Sequence, residues 1–115
     1  MEYKIIITKR FEDKYFKSLK RYFDLEKFSK IIKSKKHNSI SLQVPFEKFK
    51  LKINGVDFRW VNFILVWNKI IPLMVYLKKD KKNGMNLTWL ENKNQIINEH
   101  NFALKDIKEN LFKVF

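Results

Sequence analysis

Lys48, Lys50 and Lys52 alternate with Phe49, Leu51 and Ile53, and Arg59 follows after a short break. Lys50 and Lys52, two apart on a strand, point to one face, roughly 7 Å apart along it, with Lys48 beside them to bind substrate. Two ammonium groups that close, on a partly apolar surface, lower each other's pKa. One is then able to accept a proton while the other clamps a phosphate. Arg59, across the break, is within reach of the same phosphate. Cleavage of RNA by its own 2′-hydroxyl needs these functions: a base, cations for the charge that builds on phosphorus, and a donor for the leaving oxygen. Asp80 and Glu47 are alternative bases. The plain alternative is that the three lysines are the solvated side of an amphipathic strand. Arg59 interrupts an apolar run, where an unpaired charge is costly, so it either serves a ligand or pairs with Asp57 or Glu47. Lys78, Lys79, Lys81 and Lys82 form a second basic cluster, suited to holding substrate or to an exposed turn. Trp89 lies outside the apolar runs and is either a stacking platform for a base or an anchor for the last helix. Trp60, Phe63 and Trp67 read as core.

The elements that position these groups lie in Phe46–Lys82. Three runs of strand character, Phe46–Ile53, Phe58–Trp67 and Ile70–Leu77, are joined by Asn54-Gly55-Val56-Asp57 and Asn68-Lys69. Asn-Gly tolerates positive φ and signals a hairpin. The middle run is apolar at nearly every position, as a strand buried on both faces would be. Pro72 removes one ladder donor, so the third strand belongs at an edge or Pro72 at a bulge. Upstream, Glu2–Ile7 reads as a strand and Thr8 as a helix cap. Phe11, Tyr15, Leu19 and Tyr22 recur at helical spacing. Asp24 caps a second helix with Leu25, Phe28, Ile31 and Ile32, ending near Lys33. Ser34–Val44 is a polar connector, extended in part. Downstream, Thr88 caps a short helix through Glu91, and Asn101 caps a last one carrying Leu104, Ile107, Leu111 and Val114. The order is β-α-α-β-β-β-α. It predicts an α+β fold, an antiparallel three- to four-stranded sheet with the helical hairpin on one face, in one domain spanning residues 1–115.

The totals agree with a folded binding protein. The 45% hydrophobic content supports one core. With no cysteine, neither a disulfide nor a thiolate metal site is possible, and two histidines, His37 and His100, are too few for a histidine metal site. No cofactor is expected. The net charge of +13 concentrates polyanions, although a chain whose cations are mostly lysine also fits a bias of nucleotide composition. Residues 88–115 carry as many acidic as basic groups, so the excess lies upstream, on the first helices and the hairpins. The opening residues do not read as a signal peptide, and no apolar run approaches the length a bilayer needs. The expectation is a soluble cytoplasmic protein with no membrane partner.

From Phe49 to Trp60 the chain resembles the RelE/ParE toxin superfamily of toxin–antitoxin pairs, most closely its RelE branch. The resembling features are basic residues alternating on a strand, a tight turn, then an arginine early in the next strand. The likeness continues through two apolar strands to the basic cluster at Leu77-Lys78-Lys79-Asp80. This resemblance implies a metal-independent endoribonuclease that cuts messenger RNA, commonly on the ribosome, and leaves a cyclic phosphate. By position it gives catalytic roles to Lys50, Lys52, Arg59 and Lys79, or its neighbour Lys78. It also implies a cognate antitoxin as partner. The tyrosine that the RelE branch often carries has no counterpart in Met85–Trp89, and lysine replaces the arginine after the later strand. A ParE-like toxin acting on a protein such as DNA gyrase, or a basic RNA-binding module without catalysis, are the alternatives.

Overall fold

The apolar run in the middle of the chain becomes the longest strand of a sheet with the order β2-β3-β4-β5-β1-β6. The structure, a computed structural model, describes residues 3–35, 40–53, 55–66, 68–77 and 88–115. The strands are β1 (Lys4–Thr8), β2 (Ile40–Gln43), β3 (Phe46–Ile53), β4 (Val56–Val66), β5 (Lys69–Leu77) and β6 (Phe112–Val114). The helices are α1 (Lys9–Lys14), α2 (Leu25–Lys35) and α3 (Trp89–Lys108), with a 3₁₀ turn at Phe16–Leu19.

β3, β4 and β5 form the antiparallel meander that the short breaks predict, with β4 in its middle. Gly55, at φ 80°, takes the left-handed backbone that the β3–β4 turn requires. Cross-strand partners in an antiparallel ladder share a face. Phe49 therefore lies beside Trp60 on one face, their rings stacked at 5.2 Å. That face also carries Phe58 and receives the helical hairpin: Tyr22 and Phe23 meet Phe58 at 5.2 and 5.7 Å, and Phe28 meets Trp60 at 5.8 Å. Phe11, Phe16 and Phe23 surround Phe28 in turn. Each ring so buried contributes about 1.5–3 kcal/mol. The opposite face carries Phe46, Lys48, Lys50, Lys52, Arg59 and Phe63. α3 crosses it at the Phe46 end, where Trp89 stacks on Phe46 at 5.5 Å and His100 meets Phe63 at 4.4 Å.

The sheet departs from expectation in size and direction. Among the described residues it is mixed and has six strands, not an antiparallel set of three or four. β1 pairs in parallel with β5, Lys4 opposite Lys69, so β5 is an internal strand. Pro72 is accommodated by a register shift between Val61 and Asn62, the bulge alternative. β2 emerges from the polar connector and pairs with β3. The first helix is shorter than its apolar stripe: α1 stops at Lys14 and the 3₁₀ turn carries Phe16 and Leu19 inward. Its cap is as predicted, the Thr8 hydroxyl accepting from the Phe11 amide at 3.2 Å. Asp24 likewise accepts from the Lys27 amide at 2.8 Å.

The C-terminal region is one helix of 20 residues where two were expected. Thr88 caps it, accepting from the Glu91 amide at 3.2 Å, and Asn101 is interior to it. The helix ends because Asn110, at φ 59°, turns the chain, and the Leu111 amide bonds back to the Asp106 carbonyl at 2.8 Å. Leu111 and Val114 are therefore not on the helix. Residues 112–114 pair antiparallel with β1, because a helical spacing of apolar residues over the last few positions is also met by a turn and a short strand.

Candidate functional site

Lys50 stands directly opposite Arg59 in the β3–β4 ladder, Lys48 opposite Val61 and Lys52 opposite Asp57. Alternation on β3, as the sequence predicts, puts the three lysines on one face, and the β3–β4 register, which the sequence left open, adds Arg59 to it. Cross-strand Cβ atoms are about 4.5–5.5 Å apart, so like charges meet at some cost. Lys50 and Lys52 are exposed, while Lys48 and Arg59 are half-buried. Burial lowers the Lys48 pKa from the ordinary lysine value, and the charges of Lys50 and Arg59 lower it further. The Arg59 Nη1 donates to the Phe58 carbonyl at 3.0 Å. Among the described residues Arg59 forms no ion pair, so neither Asp57 nor Glu47 neutralises it. Glu47, opposite Asn62, lies on the other face and is out of position as a base.

A tyrosine missed in the sequence joins this set. Tyr76 on β5 is directly opposite Arg59. Register alone could have revealed it, once β5 was paired with β4. Its hydroxyl accepts from the Gln95 amide of α3 and donates to the Tyr15 hydroxyl at 3.5 Å. Burial, then the bond with Tyr76, push the Tyr15 pKa far above the ordinary phenol value. Beyond Tyr15 stands Glu99, almost wholly buried, bound by Arg10 at 2.9 Å and Lys14 at 3.3 Å. The cradle thus has one wall built on a polar network between α1 and α3. Clustered cations, a half-buried lysine and a phenol on one face are the groups that phosphate binding and proton transfer beside it require.

Trp89 is half-buried and stacked on Phe46, one strand pleat from Lys48. His100 packs edge-on against Phe46 and Phe63, and burial lowers its pKa. Lys78, Lys79, Asp80, Lys81, Lys82 and His37 lie outside the described residues. Among the described residues no three of His, Cys, Asp and Glu come together to hold a metal ion. No helix among them is long and apolar enough to cross a membrane. The chain matches no protein-family model, no curated protein and no solved structure.

Proposed function

We propose that this chain is an endoribonuclease of the RelE/ParE toxin kind, cutting messenger RNA in the basic cradle without a metal and silenced by a cognate antitoxin. The observation that carries the reading is Lys50 opposite Arg59, flanked on the same face by Lys48 and Lys52. A backbone phosphate binds between the Lys50 ammonium and the Arg59 guanidinium, which take up charge as the phosphorane forms. Lys48 in its neutral form removes the ribose 2′-hydroxyl proton, a form that its burial and two neighbouring cations favour. The 2′-oxygen then bonds to the adjacent phosphorus and the bond to the 5′-oxygen breaks. That oxygen takes a proton from the Tyr76 hydroxyl, which gives up its bond to Tyr15 to supply it, leaving a cyclic phosphate and a 5′-hydroxyl end. In this assignment Lys48 moves from substrate binding to base, and Lys52 holds a neighbouring phosphate. Lys79 keeps the role that the family resemblance gives it.

The test is cleavage of end-labelled RNA by the purified protein, with and without ribosomes carrying a message. Products ending in cyclic phosphate, absent when the riboses are 2′-O-methylated, support the reading. Intact RNA under both conditions overturns it. RNA that is bound and left uncut would leave a binding module.

A further inference from the structure

A second group of cations sits at the tip between α1 and α2. From Lys14 to Phe23 the chain reads KYFKSLKRYF and contains no carboxylate. The 3₁₀ turn has a period of three, so residues three apart share a side. Phe16 and Leu19 are buried, at 2% and 1% exposure. Lys17 and Lys20, each the next residue along, are exposed together. The tip is fixed: the Leu19 carbonyl accepts from the Tyr22 amide at 2.9 Å and the Phe23 amide at 3.3 Å. Beyond it, the Arg21 guanidinium lies over the half-buried Tyr22 ring, 5.0 Å from its centre.

Two further observations give this tip a direction. The Tyr22 ring meets Phe58 edge-on at 5.2 Å, and Phe58 immediately precedes Arg59 on β4. The Arg21–Tyr22 pair and the cradle are therefore on the two sides of the same end of β4. Secondly, the flanking helices pair several of their cations: Lys9 with Asp13, Arg10 and Lys14 with Glu99, Lys30 with Glu26. Among the described residues Lys17, Lys20 and Arg21 have no such partner. An exposed, acid-free set of cations beside a ring is the combination that holds a polyanion with π faces, in which phosphates meet the charges and a base stacks.

We propose that Lys17, Lys20 and Arg21, with the Tyr22 ring, form a second contact surface for single-stranded RNA, continuing the cradle over the end of β4. This rests on the reading of the cradle as an RNA site. It makes the footprint longer than the scissile step, with affinity supplied at the tip and chemistry at β3 and β4. The partner is a single strand because a duplex is too stiff to bend over one sheet end and presents no free base to a ring.

The test uses 2′-O-methylated oligonucleotides, which cannot be cut, of about four and about twelve nucleotides, with affinity read by fluorescence anisotropy. Lys17→Ala, Lys20→Ala and Arg21→Ala combined should weaken the longer strand about tenfold and flatten its salt dependence by about two log units per log unit of salt, leaving the shorter unchanged. A control of equal charge change, Lys30→Ala, Lys33→Ala and Lys108→Ala, should have little effect. Equal loss from both triple variants, or none from the tip variant, overturns the tip surface while the cradle stands. If neither strand binds the native chain, both fall. Separately, Lys50→Ala should weaken both lengths alike.

Discussion

The Arg10 guanidinium grips both carboxylate oxygens of Glu99, Nη2 to Oε1 at 2.9 Å and Nε to Oε2 at 3.1 Å, and joins α1 to α3. The same guanidinium lies 4.2 Å from the centre of the Phe102 ring, and the Arg10 amide donates to Asp106 at 2.7 Å. With only 3% of its side chain exposed, Glu99 depends on these partners. Breaking a buried pair typically costs about 3–5 kcal/mol. Glu99→Ala should fall in that range by urea denaturation at neutral pH, and a loss within error of zero would refute the joint.

The same pair predicts a pH dependence. Burial raises the Glu99 pKa, but the Arg10 hydrogen bonds, the Arg10 charge and Lys14 outweigh it, so the net shift is down from 4.5. A carboxylate depressed in the folded state contributes stability above its unfolded pKa and loses it as pH falls through the folded value. The difference in stability between the native chain and Glu99→Gln should be full at pH 6–7, then shrink as the pH drops below 4.5. A difference that grows on acidification would reverse the sign of the shift.

Arg59→Ala should raise the Lys48 pKa, because one of the two charges that lower it disappears. Titration of the Lys48 ammonium by NMR reads this directly. The variant should lose RNA affinity and keep its melting temperature, since Arg59 has no ion pair to lose among the described residues. An unmoved Lys48 would mean that the two side chains do not share a phosphate-sized space.

Asn62 is fully buried on β4, and among the described residues neither its Nδ2 nor its Oδ1 has a hydrogen-bond partner. Leaving such a group unpaired costs on the order of 1–3 kcal/mol. Asn62→Val, apolar and suited to a strand, should stabilise the fold by about 1–2 kcal/mol. A lowered urea midpoint would show that the amide has a partner after all.

Thr88→Ala should cost about 1 kcal/mol, since the hydroxyl caps the Glu91 amide at the start of α3. Thr88→Ser should restore it. Equal stability of the three proteins by thermal melting would remove the cap from the account of α3.

What the sequence made legible was local. The side of β3 that carries Lys50 and Lys52 follows from alternation, whereas the pairing of Lys50 with Arg59 rests on a register that the Asn-Gly turn alone left open. Thr8, Asp24 and Thr88 announce themselves because a cap is a bond between near neighbours. The partner of β1 was not legible: Ile5, Ile6 and Ile7 are buried on both faces, and nothing in an apolar run names the strand it will pair with. Tyr76 was missed for the same reason, because its place beside Arg59 exists only across the β4–β5 ladder. β6 was read as helix because three residues are too few to display a period.

The parallel pairing of Lys4 with Lys69 has a consequence for how the molecule is born. The first strand is synthesised early, yet the edge it needs is made about 65 residues later. β3, β4 and β5 close over short turns and meet the smaller loop entropy, so the meander is the natural nucleus, and β1 must wait to dock beside it. During synthesis its three isoleucines remain unsheltered, and the dense positive charge that follows them keeps nascent chains apart in the interval.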